Sequence, residues 1–412
     1  MAVSLDEIDL LAPDAVADPY ATFGLLREHD PVHWNAAHRS WVITRYDDVS
    51  AAFVDKRLSS DRVQSVYDTK LGERERAARA PTFAVLSDWM VFKDPPDHTR
   101  LRNLVKRAFT PRAVQALEPR IADVVDHVLD SAPRDELDVV RDLAYPVPAM
   151  VIAEMLGVPP EDRDLFRRWS DDITTLVFEG ARTDADRRRA QDGLVALAGY
   201  LGELVRRNRA EPSDNLMSAL VRAREADDSL AEHEIVNTCT LLLFGGHETT
   251  TNLIANGLLA LLRHPQEAQR LLDDPSLGRS AVEELNRYDG PAKAVVRRAC
   301  EDLELHGRRI EAGRRVVLAV CAANRDSRRF ADPDALDLAR PENRQLGFGY
   351  GIHYCLGASL ARLEAQIAIP RFLRRLRGAE VLSDPPAYQP ILLTRALTEL
   401  RVRFGAAAAS GG

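Results

Sequence analysis

The stretch of sequence that decides the fold reads Phe348-Gly349-Tyr350-Gly351-Ile352-His353-Tyr354-Cys355-Leu356-Gly357-Ala358. Two glycines near its start favour a tight turn over regular structure. Its second half is apolar at helical spacing, through Leu356, Leu360 and Leu363. Cys355 is therefore predicted to lie where a glycine-rich loop becomes a helix. The unpaired N–H groups and the positive dipole end of a helix start favour a thiolate at that position.

Three kinds of role are open to Cys355. A buried, inert thiol is the usual role of a single cysteine. A zinc site needs companion ligands, and the chain has no C-x-x-C pair among its four scattered cysteines, Cys239, Cys300, Cys321 and Cys355. A thiolate at a helix start, where Gly357 lets the backbone approach the bound group, is suited to be an axial ligand of haem iron.

The complete string from Phe348 to Glu364 is more specific than the cysteine alone. It reads F-G-x-G-x-H-x-C-x-G-x-x-L-A-R-x-E and closely resembles the haem-binding signature of the cytochrome P-450 superfamily, particularly its soluble bacterial members. The resemblance extends over residues 18–402. It implies a mainly α fold with small β-sheets, in which a long central helix crosses over the haem. It also implies haem b, with Cys355 as the metal ligand and with Phe348 and Gly357 beside the cofactor.

Charge and composition disfavour several classes of protein. The 412 residues carry a net charge of −8, which disfavours nucleic-acid binding and attraction to anionic membranes. No apolar run is long enough to span a bilayer, and the N-terminus lacks a signal-peptide pattern. Isolated cysteines indicate a reducing compartment, so we expect a cytoplasmic protein, and we expect a monomer. We predict an N-terminal extension over residues 1–17, one domain over 18–404 and a disordered tail over 405–412.

Local patterns predict the elements around the site. Val32–Trp34 and Trp41–Thr44 are typical of a β-hairpin. Residues 58–93 show weak periodicity, and the resemblance implies a long loop that caps the substrate pocket. Glu232–Arg263 is predicted to form one long helix of about 45–50 Å. We expect that helix to be interrupted at Gly245–Asn252, because paired glycines and three threonines there cost helix stability.

An acid and an alcohol lie side by side within this expected interruption. Glu248-Thr249 resembles the family's acid–alcohol pair, which hydrogen-bonds dioxygen and supplies protons to it. We therefore predict that both residues are catalytic. A sequence that merely tolerates a kink is the competing explanation. We expect His247 to serve helix packing, with a pocket contact as the alternative.

The two propionates of haem need cationic or imidazole partners. The resemblance implies that His98, Arg102, Arg297 and His353 supply them. His98 and Arg102 are four residues apart on one predicted helix, so both can reach in the same direction. Each of the four would more often be an ordinary surface group, and it is their combination that favours cofactor binding.

Two further sets of residues follow from the resemblance. The first is a buried ion network with a structural role, consisting of Glu284, Arg287 and Arg340. The second lines the substrate pocket and consists of Val85, Leu86, Leu241, Phe244, Gly245, Ala294, Val295, Leu393 and Thr394. The pocket set is mostly apolar, as small-molecule sites are. Lys293 departs from that character, and we expect it to point to solvent rather than to pair with an acidic substrate group.

The resemblance implies a haem-thiolate monooxygenase that hydroxylates or epoxidises a mostly apolar small molecule. Polyketide, terpenoid or peptide intermediates of secondary metabolism, such as antibiotic biosynthesis, are the expected substrate class. One alternative keeps the haem but catalyses oxidative coupling or desaturation. Another is a non-catalytic relative that binds a partner enzyme, which the complete signature around Cys355 disfavours.

Electrons must come from an external partner, because the sequence has no flavin, nicotinamide or iron–sulfur fingerprint. We expect NAD(P)H-derived electrons to arrive through a ferredoxin reductase and a ferredoxin. Basic residues lie on segments that the family places around the thiolate face, namely Arg100, Lys106, Arg107, Arg112 and Arg362. On a chain of net charge −8, such a local positive patch suits an acidic ferredoxin.

Overall fold

The computed structural model describes residues 5–63, 72–174, 176–177, 183–225 and 228–404. Backbone contacts divide the chain into two compact units. The first unit contains residues 1–58, 117–148 and 249–412, and the second contains residues 59–116 and 149–248. The single domain over 18–404 therefore stays a prediction, and the tail over 405–412 lies outside the described residues.

The described part of the chain is mainly helical, as predicted. The helices up to residue 160 are Pro13–Ala17 (α1), Pro19–His29 (α2), Tyr46–Val54 (α3), Glu73–Leu86 (α4), Asp97–Ala108 (α5), Pro111–Gln115 (α6), Glu118–Ser131 (α7) and Pro146–Met155 (α8). The later ones are Arg163–Thr174 (α9), Asp184–Ala210 (α10), Leu216–Arg222 (α11), Glu232–Arg263 (α12), Pro265–Asp273 (α13), Gly278–Asp289 (α14), Val320–Ala323 (α15) and Ala358–Arg375 (α16). Among these, none combines the length and the apolar character that crossing a membrane requires.

The strands are short and form small sheets. They are Val32–Asn35 (β1), Ser40–Ile43 (β2), Leu58–Ser59 (β3), Glu136–Asp138 (β4), Arg224–Glu225 (β5), Asp228–Ser229 (β6), Val295–Ala299 (β7), Leu303–Leu305 (β8), Arg308–Ile310 (β9), Arg315–Leu318 (β10), Glu380–Val381 (β11) and Arg401–Arg403 (β12). One sheet has the order β1-β2-β10-β7-β3, and a second has the order β11-β12-β4. The pairs β5-β6 and β8-β9 stand alone.

The larger sheet is buried on both faces. Its β1–β2 hairpin pairs Val32 with Ile43, so the predicted hairpin is confirmed. Strand β10 runs parallel to β2 and antiparallel to β7. Within β10, Val316 and Leu318 pack into one apolar cluster and Val317 packs into another. Because side chains alternate between the two faces of a strand, both faces of this sheet are covered by core.

The described part of the segment predicted as an N-terminal extension, residues 5–17, is packed into the first unit. Leu10 belongs to one of the two apolar clusters of the sheet. Arg395, near the other end of the chain, donates to the carbonyls of Val16 at 2.6 Å and Ala17 at 3.0 Å. Its Nε donates to the carboxylate of Asp289 at 3.0 Å. The end of α1 is thus capped by a side chain from the C-terminal part of the sequence.

In the second unit, α10 packs against α9 and α4, and α11 packs against α5. The predicted loop over residues 58–93 is wrong for Glu73–Leu86, which form the helix α4. Its first turn is highly charged and Pro81 lies inside it, so the helical period is weak in sequence. Packing against α10 stabilises it instead, as tertiary contacts do for most helices.

The helix α12 runs unbroken from Glu232 to Arg263, so the expected interruption at Gly245–Asn252 is wrong. A glycine in a helix interior costs about 1 kcal/mol relative to alanine. Gly246 offsets part of that cost through close packing, because a Cβ there would lie 3.4 Å from Cγ1 of Ile152. The glycine serves helix packing, and the helical backbone is kept.

Candidate active site

Cys355 lies in a tight loop that precedes α16. Gly349 and Gly351 have φ values of +74° and +72°, a left-handed conformation that glycine adopts without strain. The N–H of Cys355 donates to the carbonyl of Phe348 at 2.8 Å and closes the loop. At Gly357, the N-cap of α16, an added Cβ would meet no atom within 4 Å. The loop therefore presents an exposed thiol beside open space.

The helix α3 and the strand β7 support this loop from one side. Gly351 approaches α3 so closely that a Cβ would lie 2.7 Å from Cγ1 of Val54. The adjacent Phe53 carries the guanidinium of the buried Arg297 over its ring, at 5.8 Å from the ring centre. His353 lies within the loop itself and is half-buried. Two of the four predicted propionate partners thus lie in this loop or beside it.

The other two predicted propionate partners belong to the second unit. His98 and Arg102 lie one turn apart on α5, where His98 is buried and Arg102 is half-buried. Residues four apart share one face of a helix, so both side chains extend from the same side of α5. Their contact with a cofactor stays a prediction.

The residues around the loop suit one particular kind of cofactor. In the described part of the chain, no group of three or more His, Cys, Asp or Glu side chains could hold a bare metal ion. Cys355 instead offers one soft ligand beside open space, and Arg297 offers a buried cation next to the same loop. A macrocycle can supply the other ligands of a metal that takes one from the protein, and a buried arginine can bind the carboxylates of such a macrocycle. The donor set therefore fits haem held by a thiolate.

The predicted catalytic pair lies near the middle of α12. Glu248 and Thr249 are both half-buried. The preceding His247 is buried, and its Nδ1 lies 2.9 Å from the carbonyl of Leu243. Because a carbonyl can only accept, this nitrogen donates the hydrogen bond. Nε2 of His247 lies 3.9 Å from the carboxylate of Glu248, so the imidazole is tied to its own helix and borders the acid.

Glu284, Arg287 and Arg340 lie in one buried network in the first unit. Nε and Nη2 of Arg287 each donate to the carboxylate of Glu284 at 2.8 Å, and both side chains are fully buried. Nε of Arg340 donates to the same carboxylate at 3.1 Å. Arg287 also donates to the carbonyls of Asn324 and Pro333. The network fixes the loop after α15 to α14, which is a structural role.

Two of the five residues in the predicted basic patch are bound to carboxylates. Arg100 contacts Asp228 at 3.3 Å and forms a short ion pair with Glu234. Arg362 pairs with Glu283 and lies over the ring of Phe348 at 4.2 Å. These two guanidinium groups add little net positive charge to the surface. The other three residues of the set are exposed, namely Lys106, Arg107 and Arg112.

The structure places the predicted pocket residues on four segments. On α4 and α12 of the second unit, the set consists of Val85, Leu86, Leu241, Phe244 and Gly245, all buried or half-buried except the exposed Gly245. In the first unit, the set consists of Ala294, Val295, Leu393 and Thr394. Backbone bonds bring the segments of the first unit together, because the N–H of Ala294 donates to the carbonyl of Leu393 at 3.2 Å.

The expectation that Lys293 points to solvent is wrong, because only 3% of this residue is exposed. Its N–H donates to the carbonyl of Leu393 at 2.9 Å, and its carbonyl accepts from the N–H of Cys321 at 3.1 Å. The residue is therefore held between two other segments of the first unit. Loss of hydration in this position lowers the pKa of its amine to about 8. A single lysine in a sequence carries no signal of such burial.

Two residues near the pocket set were missed by the sequence analysis. Nε1 of Trp89 donates to Oγ1 of Thr240 at 2.9 Å, and the indole stacks on Phe244 with ring centres 5.4 Å apart. The available signal was one tryptophan in a segment of weak periodicity. Large aromatic side chains usually anchor the segment that carries them.

Known proteins that are similar to this chain belong to the family that this geometry suggests. The family model described as "Cytochrome P450" matches residues 33–274 and 276–398. The chain is 42% identical over 407 residues to vitamin D(3) 25-hydroxylase of Pseudonocardia autotrophica, covering 97% of each protein. It is 39% identical over 408 residues to cytochrome P450 monooxygenase PikC of Streptomyces venezuelae, covering 97% of this chain and 94% of that protein.

Solved structures agree with these relatives. The crystal structure of P450BioI in complex with hexadec-9Z-enoic acid ligated acyl carrier protein superposes with a TM-score of 0.87 at 35% identity. The match covers 95% of this chain and 99% of that one. The chain belongs to the cytochrome P450 family, and the predicted fold is confirmed. It is a monooxygenase of that family, whose members use haem iron, dioxygen and redox partners.

Proposed function

We propose that this monooxygenase inserts one oxygen atom of dioxygen into an apolar small molecule, while the other atom leaves as water. The observation that supports this proposal best is the loop of Cys355, which presents one thiol at a helix start beside open space. Haem, when bound there, supplies the activation of dioxygen, for which a thiolate ligand is suited. The chain's own residues hold the cofactor, deliver protons and select the substrate.

We propose haem b, bound without covalent bonds to the protein. The c-type attachment of haem needs the C-x-x-C-H pattern, which the sequence lacks. Cys355 is the proposed iron ligand, and Phe348 and Gly357 are its proposed neighbours at the cofactor. The proposed propionate partners are His98, Arg102, Arg297 and His353. Of these, Arg297 has the strongest support, because it is buried beside the cysteine loop.

Glu248 and Thr249 are the proposed groups for proton delivery. An acid on a half-buried surface can take a proton from water and pass it inward, and a neighbouring hydroxyl can both accept and donate. Both side chains lie on the unbroken α12, so the helical backbone holds them in fixed positions. His247 is bound to its own helix and supports this face without taking part in the relay.

A small acidic ferredoxin is the proposed electron donor. Lys106, Arg107 and Arg112 are the exposed members of the predicted patch, whereas Arg100 and Arg362 are half-buried. Exposed charges raise the rate of encounter between proteins more than their final affinity. We therefore assign docking mainly to the first three residues.

The proposed substrates are apolar products of secondary metabolism. The predicted pocket residues are mostly apolar, which supports an apolar ligand. One relative is named vitamin D(3) 25-hydroxylase, and this name assigns it a hydroxylation of vitamin D(3). We propose a hydroxylation of this type for this chain as well.

The direct test combines two measurements on purified protein. The ferrous–CO spectrum of the wild type should have its band at the thiolate position, and Cys355→Ser should lose that band because a hydroxyl donates less electron density. With vitamin D3 as the probe, incubation under 18O2 with ferredoxin and its reductase should place one labelled atom in each product molecule. A thiolate-type CO band in Cys355→Ser, or product without label, would contradict the proposal.

We also propose a cytoplasmic monomer. None of the four cysteines is in a disulfide, which is usual in a reducing compartment. Sedimentation of the haem-loaded protein at a mass near twice that of one chain would contradict the monomer.

A further inference from the structure

The segment that follows α4 is fixed to α12 by one tryptophan. Trp89 is completely buried, and its Nε1 donates to Oγ1 of Thr240 at 2.9 Å. The Thr240 hydroxyl in turn donates to the carbonyl of Asn237 at 2.7 Å. Because its proton is used there, the hydroxyl presents a lone pair to the indole N–H. The orientation of Trp89 is therefore set by α12.

Two other aromatic rings lie against the indole. Trp89 stacks on Phe92 with an interplanar angle of 11° and on Phe244 with an angle of 26°. The ring of Phe92 is capped in turn by the guanidinium of Arg62, 4.8 Å from its centre. Because Trp89 is completely buried, it can influence a ligand only through its neighbours.

A second hydrogen bond attaches the same segment to α12 one turn earlier. Nδ2 of Asn237 donates to the carboxylate of Asp88 at 3.0 Å. Asn237 and Thr240 are three residues apart on one face of the helix. The segment before Phe92 is thus attached at two successive turns, and Phe244 continues the same stripe.

On α12, Phe244 lies between the two hydrogen-bonded residues and Glu248, the predicted catalytic acid. Residues four apart on a helix share a face, and Glu248 follows Phe244 by four. One face of α12 therefore carries two hydrogen-bonded polar residues, then a stacked ring and then the predicted acid, namely Asn237, Thr240, Phe244 and Glu248. Whatever holds the ring of Phe244 in place also limits the space on this face beside Glu248.

We propose that Trp89 is a positioning residue that fixes Phe244 and so limits the width of the substrate group beside Glu248. The proposal rests on the proposed function, because it takes Glu248 to border the site of reaction. It assigns a substrate class: an apolar molecule whose reacting end is narrow, such as an unbranched chain or the edge of a flat ring system. Removing the indole takes away the ring that stacks on Phe244, so the ring of Phe244 should move more easily and that end of the pocket should widen.

The test compares the affinities of the haem-loaded enzyme for imidazole and for the bulky clotrimazole, both measured by Soret titration. In Trp89→Ala, the affinity for clotrimazole relative to imidazole should rise about tenfold, equivalent to about 1.4 kcal/mol. Trp89→Phe keeps a stacked ring and should show a smaller rise. Thr240→Val removes the acceptor of the indole N–H at constant shape and should raise the ratio about threefold, equivalent to about 0.7 kcal/mol.

Two matched variants separate this effect from a general loss of packing. Thr240→Ser keeps the hydroxyl and should restore the wild-type ratio. Thr238→Val removes another buried threonine hydroxyl two residues away, which faces a different side of α12, and should leave the ratio unchanged. Thermal unfolding of each variant records whether it is folded, and the threonine variants decide the matter if Trp89→Ala does not fold.

The outcomes distinguish this inference from the proposed function. A wild type without the thiolate-type CO band would refute the proposed function. A normal CO band together with a clotrimazole ratio within about twofold of wild type in Trp89→Ala and Thr240→Val would refute the role of Trp89 alone. A ratio that shifts toward imidazole would refute it as well, because the pocket would then have become narrower.

Discussion

The substitution Glu284→Gln tests how much the buried ion network stabilises the first unit. The carboxylate of Glu284 accepts from five donors: Nε and Nη2 of Arg287, Nε of Arg340, Nδ2 of Asn343 and the N–H of Asp337. Each carboxylate oxygen faces at least two of them. Glutamine has the same shape but carries one NH₂ group. In either orientation of the amide, the NH₂ group faces other donors and cannot accept their hydrogen bonds. The positive charge of Arg287 also loses the negative charge that balances it.

The expected loss follows from the complete burial of both partners. Removing one member of a buried ion pair costs about 3–5 kcal/mol, because the remaining charge is left uncompensated. Unfolding entropy is about 2.1 cal/mol/K per residue, or about 0.8–0.9 kcal/mol/K for a chain of this length. The expected decrease in Tm is therefore about 4–6 °C. The carbonyl partners of Arg287 remain, which keeps the estimate within this range.

Calorimetry of the haem-loaded and the haem-free protein measures the decrease. The matched control is Glu311→Gln, because Glu311 and Arg314 have the same spacing of three residues but are exposed. Exposed pairs contribute about 0–1 kcal/mol, so the control should change Tm by about 1 °C or less. If Glu284→Gln lowers Tm by no more than Glu311→Gln does, the buried network does not contribute the expected amount, about 3–5 kcal/mol, to the free energy of unfolding.

Four further variants probe the proposed chemistry, the partner and the pH dependence of stability. Thr249→Ala should divert reducing equivalents to peroxide and Glu248→Gln should slow turnover, whereas unchanged product per NAD(P)H in Thr249→Ala would contradict the relay. Lys106→Glu combined with Arg107→Glu should slow reduction by ferredoxin but not by dithionite, and a wild-type rate independent of salt would place docking elsewhere. Burial raises the pKa of Glu364, so this carboxyl group destabilises the folded protein once the pH rises above the pKa that it has in the unfolded chain. Glu364→Gln should therefore raise Tm at pH 8 and hardly change it at pH 4. An equal change of Tm at both pH values would contradict this.

The parts of the site that lie close together in sequence were predictable. The loop of Cys355, the glycines that turn it and the helix after it form one continuous stretch, and the structure has them in that order. The β1–β2 hairpin was predictable for the same reason. In each case local conformational preference and tertiary structure agree.

The parts that depend on distant partners were not predictable. Trp89 and Thr240 are 151 residues apart, and Arg100 and Glu234 are 134 residues apart. No periodicity connects such pairs, so neither the anchoring of the segment before Phe92 nor the neutralised Arg100 could be inferred. The helix α4 was missed because its packing against α10, and not its own sequence pattern, stabilises it.

The contact of Arg395 with Val16 has a consequence for the order in which the protein is made. The two residues are 379 positions apart, so the carbonyl of Val16 lacks this donor until Arg395 has left the ribosome. The second unit, in contrast, is complete in sequence at Glu248. At about 5–20 residues per second, translation of the remaining segment takes about 8–33 s. During that time the N-terminal segment of the first unit is exposed without its partners. We therefore expect chaperones to bind this part of the nascent chain.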